Sequence, residues 1–396
     1  MATLVNGPVT SSDTGYYAIK YSKNLYLEGV VSNPINKILS ENGVINREDS
    51  LQTKGGTVYM YNALKLAGQG ATGDYDHYTN AQARQVSNRS LNIALNSAPD
   101  ITWHMEGTQT NQYITYDIGS TNEEALADWT RSLISSAMLN QLASNTATSI
   151  TQYTLSPNAF TAADALLRIT GNNAASVPTY HYAGSAAGTA ITTDASVNSG
   201  NPLSLKDFEF AVEVITSQQA SAPTWQVLGN GNFAGIAIIS QTGMNQLINE
   251  NVTLGQGLQV AQIIYSNLNG GKTPGIMAEF MIPGIPLKFV VVPDSWLPRG
   301  VNLSTGAEVA NTRRCVIVGK NALDVSFGAG YAPAGGKAIP GASIEFDTNF
   351  KPLNKMGYAT AKMLWGCKKV QQTGVGAGNS TAYDLSTFVI CHYSRT

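Results

Sequence analysis

Ser266-Asn-Leu-Asn-Gly-Gly-Lys-Thr273 is the stretch of this chain that comes nearest to phosphate chemistry. A phosphate-binding loop needs glycine at both ends so that successive backbone amides can wrap the anion. Position 266 is serine and Pro274 follows at once, so a plain connecting loop is expected. Gly68 to Gly73 meets the G-x-G-x-x-G spacing, but a dinucleotide site needs a strand before it and a helix after it. No helix is expected after Gly73, and these read as turn glycines. The histidines His77, His104, His181 and His392 are scattered and match neither HExxH nor a Cys/His ligand spacing. Asp74-Tyr-Asp-His77 supplies too few oxygens for a hard cation. There is no G-x-S-x-G elbow. Glu123 and Glu124 suit the first turn of a helix better than a catalytic pair. Cys315 lies in an apolar run, where a small buried hydrophobe is expected. Trp129 and Trp365 fall on apolar faces and are expected in a core. The expectation is no catalysis, no metal and no cofactor.

The elements around these residues describe a chain that leaves parts of itself uncovered. Thr57–Lys65 and Ser87–Leu95 alternate at period two, as half-buried strands do. Between them lies a polar region with Gly68, Gly70, Gly73, Asp74 and Asp76, too long for a tight hairpin. The resulting arm, with its flanking strands, occupies 52–118. An isolated hairpin is marginal in water, so this one needs a surface to lie on, and another copy of the chain is the simplest supplier. Its expected contact residues are Tyr59, Tyr61, Leu64, Lys65, Tyr75, Leu91 and Ile93. Strands are also expected at Ile101–Glu106 and Gln112–Asp117. Residues 1–51 are polar and broken at Gly7-Pro8 and Asn33-Pro34, with a short helical patch at Pro34–Glu41. They read as an N-terminal arm that orders against something else.

Ser120-Thr-Asn-Glu123 is a capping-box sequence. Leu126, Trp129, Leu133, Ala137, Met138 and Leu142 then recur at helical spacing, which predicts a helix over 120–144. At ~1.5 Å per residue it spans ~36 Å, a spine, with Leu126, Trp129 and Leu133 on its packing face. It falls in an expected unit of 119–224. Within that unit, 145–203 holds few charges and reads as an insertion of surface loops, with a short helix at 160–169. A second capped helix opens at Ser204-Leu-Lys-Asp207, with Leu205, Phe208, Val212 and Ile215 on one face. From 225 to 345 the chain turns to short apolar strands at 234–239, 262–265, 286–292 and 314–318, with a helix at 241–250. Runs of this kind are strands buried on both faces. A long strand at 356–369 and an apolar run at 385–391 close the chain within 346–396.

Only 13% of the 396 residues are charged, against roughly 25% in ordinary soluble domains. A monomer normally wants a charged surface to stay apart from its fellows, whereas a subunit packed on all sides does not. Apolar content is 43%, ample for a core. The net charge is −2 and no block of like charges occurs, which excludes strong electrostatic capture of nucleic acid. No stretch approaches the ~18 apolar residues of a membrane helix. The N-terminus lacks signal-peptide character, and Cys315, Cys367 and Cys391 show no close pairing. Synthesis and assembly in a reducing cytoplasm fit best.

The order of parts resembles the Hong Kong 97 fold of tailed-bacteriophage major capsid proteins, in a podovirus-type subgroup. Lys54-Gly-Gly-Thr-Val58 resembles the start of that family's extended loop, and Asn122–Trp129 its spine-helix opening. Val316–Leu323 and Leu364–Val370 resemble later strand segments. The resemblance implies an α+β fold with an N-terminal arm, an extended β-hairpin loop, a peripheral domain carrying the spine helix, and a strand-rich axial domain at about 225–345. It implies a homo-oligomer of pentamers and hexamers forming an icosahedral shell around double-stranded DNA that it contacts weakly. Portal, scaffolding or decoration proteins are implied as further partners, and no membrane. Some members of the family cross-link through a Lys–Asn isopeptide bond; Lys65 lies on the arm, but nothing in the spacing identifies a bond. The alternative reading is another self-assembling protein, forming a tube, a surface layer or a fibre. A hydrolase or nucleotide enzyme would need a convergent polar site that the sequence lacks.

Overall fold

The computed structural model describes residues 33–47, 57–63, 86–92, 94–97, 101–104, 118–143, 180–184, 191, 193–221, 225–228, 234–253, 276–302, 307–327, 344–351, 356–373 and 382–395. After a short helix, Pro34–Glu41, come β1 (Ile45–Arg47), β2 (Thr57–Ala63), β3 (Val86–Asn92), β4 (Ala94–Ser97) and β5 (Ile101–His104). The spine helix, Ile118–Ala143, precedes β6 (Tyr180–Tyr182) and a second helix, Leu205–Ser221. Next are β7 (Gly235–Ser240), the helix Gln241–Thr253, β8 (Ala278–Met281), β9 (Leu287–Val292), β10 (Gly300–Val301), β11 (Glu308–Val309) and β12 (Thr312–Val318). The chain closes with β13 (Leu323–Phe327), β14 (Ile344–Lys351), β15 (Met356–Lys369), β16 (Gln371–Thr373), β17 (Ala382–Asp384) and β18 (Thr387–Tyr393).

These strands build two main sheets. In the first, β15 is the axle: it pairs antiparallel with β14, β13, β4 and β5, and β1 adds parallel to β13. In the second the order is β6-β18-β12-β7-β9-β8. Its central strands β7 and β12 are buried at every position, the mark of a sheet covered on both faces. On one face Ile236, Ile238, Val290, Val292, Val316 and Val318 share a core with the spine helix and with Val325, Phe327, Trp365 and Cys367 of the first sheet. The spine helix therefore seals both sheets at once. On the other face Ala237, Ile239, Phe289, Val291, Cys315, Ile317 and Ile390 pack under Phe208, Ala211, Ile215, Met244 and Leu247 of the two later helices.

The chain crosses between the sheets after β5, after β12 and after β15, and the last two crossings are bonded to each other. Gly319 N–H donates to Ser386 O at 2.8 Å, and Val370 N–H donates to Ala322 O at 2.9 Å. A Cβ at position 319 would lie 2.5 Å from Gln226 O, so only glycine fits there. Where β15 leaves the first sheet, Lys369, fully buried, places Nζ 2.7 Å from Asp384 Oδ2.

Four sequence expectations are corrected. The spine helix begins at Ile118, so Ser120 is its third residue. An N-cap must stand outside the helix, so Ser120 is not its N-cap residue. Residues 33–47, expected as part of a trailing arm, are fixed to this chain's own body. Asn33 Oδ1 accepts from Asn36 N–H at 3.0 Å and its Nδ2 donates to Arg131 O at 2.9 Å on the spine helix. Ile35, Ile38, Leu39 and Val44 are buried beside it, which supplies the apolar drive. The end of the expected surface insertion is also structural: β6 pairs parallel with β18 inside the second sheet. Lastly, the helix Leu205–Ser221 packs on the second sheet and not with the spine helix, so a boundary at 224 cuts through one packed unit.

Candidate assembly surfaces

The hairpin is built from seven antiparallel pairs, Thr57↔Asn92 through Ala63↔Val86. Side-chain alternation sends neighbouring residues to opposite faces: Met60 is buried while Tyr59 keeps 58% of its surface exposed. Asn46 on β1 ties the hairpin base to the body, donating from Nδ2 to Met60 Sδ at 3.9 Å and to Asp324 Oδ1 at 3.1 Å. At Met60 the hairpin is held by its own chain, and at Tyr59 it is exposed.

Of the expected contact residues, Tyr59 stands exposed. Tyr61 and Leu91 lie in β2 and β3, facing Asn88 and Val58 across the ladder, with side chains outside the described ones. Leu64, Lys65, Tyr75 and Ile93 lie outside the described residues, as do Gly68–Gly73, Asp74–His77, Ser266–Thr273 and the elements expected at 112–117, 160–169 and 262–265. On the spine helix Leu126 and Leu133 are buried, and Trp129 packs half-buried against the same core.

The second helix is capped as its sequence predicts: Ser204 N–H and Oγ–H donate to Asp207 Oδ2 at 2.9 and 2.7 Å. Glu250 adds an acceptor for Leu205 N–H at 2.7 Å. Burial raises the Glu250 carboxyl above its usual range, tempered by that same N–H.

Three buried side-chain pairings lie in and beside the second sheet: Arg314 with Asp194, His181 with Asp207 and Lys369 with Asp384. Asp194 Oδ2 accepts from Arg314 at 2.5 Å and from Val301 N–H at 2.7 Å, while Tyr180 O–H donates to Oδ1 at 2.5 Å. Burial works against the Arg314 charge, but Asp194, helped by Tyr180 and Cys391, outweighs it and holds the guanidinium above its ordinary value. His181 Nε2 lies 2.9 Å from Asp207 Oδ1. His392 is different. Its Nδ1 faces two acceptors, Tyr393 O at 2.8 Å and Gln246 Oε1 at 3.0 Å, so Nδ1 carries the proton. Its Nε2 is buried without a hydrogen-bond partner, and burial pulls the imidazole down to about 4.

Cys315 is pushed up to about 12 by burial and Cys367 is raised for the same reason, so both thiols stay protonated and inert. Among the described residues no three His, Cys, Asp or Glu side chains group to hold a metal ion. Among them, too, no helix is long and apolar enough to cross a membrane.

Sequence reasoning missed Asp194, although one signal was available. Arg313-Arg314 opens an otherwise apolar strand, and a buried guanidinium demands a carboxylate. It also missed three exposed apolar side chains, Phe210, Met277 and Met281. Their types are those of core residues, and only the folded chain shows that they are exposed.

Comparison with known proteins places this arrangement. The phage capsid protein family model matches residues 9–204, about half of the chain. The capsid of Ralstonia phage GP4 superposes with a TM-score of 0.59 at 16% identity, covering 90% of this chain and 89% of that one. The Cyanophage Pam1 capsid asymmetric unit gives a TM-score of 0.57 at 14% identity, with 89% of each chain covered. No curated protein sequence matches the chain.

Proposed function

We propose, from the premise that this chain is a bacteriophage major capsid protein with the Hong Kong 97-type fold, that its copies close into an icosahedral shell of pentamers and hexamers around double-stranded DNA. It belongs to the capsid of the virion, is assembled in the host cytoplasm, and works as a structural part with no turnover. The hairpin carries this reading. Its base is bonded into the subunit through Asn46, Met60 and Asp324, while Tyr59 faces away from any cover that one chain supplies.

In the assembled shell the arm lies over a neighbouring subunit and makes contact through Tyr59, Tyr61, Leu64, Lys65, Tyr75, Leu91 and Ile93. The first sheet and the spine helix form the peripheral domain. The second sheet, with both of its helices and the returning β18, forms the axial domain. A net charge of −2 supports weak contact with the packaged DNA. Portal, scaffolding or decoration proteins are the further partners of such a shell. Standard interfaces bury ~1,600 Å² in total, and several modest contacts per subunit suffice because they act together.

Replacing residues 64–85 with a short Gly-Ser turn tests the role of the arm. The expected variant is a folded subunit with wild-type melting that forms no closed particles in electron micrographs. Closed particles at wild-type yield would refute the assignment.

A further inference from the structure

Trp225-Gln226-Val227-Leu228 is an irregular segment whose two ends lie in different cores. Trp225 is buried between the second sheet and its two helices, and its Nε1–H donates to Ala234 O at 2.9 Å. Leu228 is buried in the core that the spine helix shares with both sheets. Gln226 stands between them, where the chain passes from one sheet to the other. Its backbone oxygen accepts from Lys320 N–H at 2.8 Å and its Oε1 accepts from Asn321 Nδ2 at 3.1 Å, both on the crossing after β12. Its N–H donates to Ser386 Oγ at 2.8 Å, on the crossing after β15. One residue therefore clamps two crossings.

The backbone at this joint is strained and closely packed. Asn321 has φ 57° and Ser386 φ 53°, in the left-handed region that a serine rarely adopts. Such a conformation persists only where the surroundings over-determine it. Besides the oxygen of Gln226, a Cβ at Gly319 would meet Trp225 at 3.0 Å and Ser386 at 3.1 Å. Apolar burial is non-directional, so the core under the spine helix holds the two sheets together without fixing the angle between them. Hydrogen bonds weaken steeply away from good alignment, and a cluster of them at the joint does fix it. A change of angle in one subunit is repeated at every subunit of a closed shell, where it becomes a change of curvature.

We infer that Gln226 locks the two sheets at one angle, and that this angle sets the size of the shell. The inference rests on the shell reading and adds to it a determinant of particle size within the subunit. It also explains why a serine is kept at a positive φ at the joint, since only there does its Oγ meet the Gln226 N–H.

The full-length chain carrying Gln226→Met and Ser386→Gly together tests it. Methionine keeps the length of the side chain but offers no carbonyl to Asn321. Glycine suits a positive φ but has no oxygen for the Gln226 N–H. Neither residue belongs to the two apolar cores, so the free subunit should melt within about 5 °C of wild type. Amide exchange at Gly319 and Lys320 should quicken by about tenfold or more, the effect of losing two hydrogen bonds. In electron micrographs the particles should fall into several diameters, with unclosed shells among them, where wild type gives one. Asn321→Gly removes one tie while keeping the backbone relaxed, and should broaden the diameters to a lesser degree. A single wild-type diameter from both variants overturns the inference, whether or not exchange quickens. Scattered diameters with unchanged exchange overturn it too, since the joint would then be intact. Failure of the wild-type chain itself to form closed particles would instead strike the shell reading, so the two failures are distinguishable.

Discussion

Removing the carboxylate of Asp194 takes an ion-pair partner from a buried guanidinium. Arg314 is almost wholly buried and pairs with Asp194, which also fixes Tyr180 and the backbone of Val301. Breaking a buried pair by deleting one member costs ~3–5 kcal/mol, because the remaining charge is left uncompensated. Asp194→Ala should therefore lower the melting temperature of the unassembled subunit by about 8 °C, at ~2 °C per kcal/mol for a chain of this size. Both chains must be compared as free subunits at one concentration, since assembly stabilises by mass action. The reverse substitution sharpens the test. Adding Arg314→Met to Asp194→Ala removes the stranded charge, and exchanging a buried pair for apolar packing is often close to neutral. The double variant should regain more than half of the loss. An Asp194→Ala subunit that melts within about 1 °C of wild type would refute the claim that this charge is buried and paired.

The buried imidazole gives a pH dependence of definite sign. His392 is held at about 4, below the 6.5 of a free histidine, with burial as the main cause and Arg313 adding to it against Asp207 and Asp294. Between those values the unfolded chain binds a proton that the folded chain does not, so stability falls as pH drops from about 6.5 to about 4. The loss is about 3 kcal/mol; His392→Gln should flatten that part of a urea-denaturation profile, and an unchanged profile would contradict it. On the spine helix, Leu133→Asp buries a carboxylate in the core shared by both sheets. That variant should be unfolded by circular dichroism; wild-type melting would mean the packing face is misassigned.

How much of this was legible depends on whether the signal was local. The strand Met356–Lys369 and the helix Pro34–Glu41 stand where the sequence places them, because each carries its own pattern and boundaries. The spine helix is legible through its apolar spacing, whereas its start is not: helical backbone reaches back to Ile118, through residues with no distinguishing pattern. Long-range pairing leaves no local mark. β6 is three residues long and joins β18 about two hundred residues later, so Tyr180–Tyr182 looked like loop. Helix Leu205–Ser221 shows which face is buried, but not which sheet buries it. The hairpin was legible as two alternating strands, and the exposure of Tyr59 beside buried Met60 agrees with that period. The exposure of Met277 and Met281 was hidden, since composition cannot distinguish a core methionine from an exposed one.

Assembly is the central claim, and an electron micrograph of the purified full-length chain tests it most directly. The expected result is closed particles of uniform diameter with five-fold and six-fold capsomers. A chain that stays monomeric at every concentration, or that builds only open sheets or tubes, would contradict it.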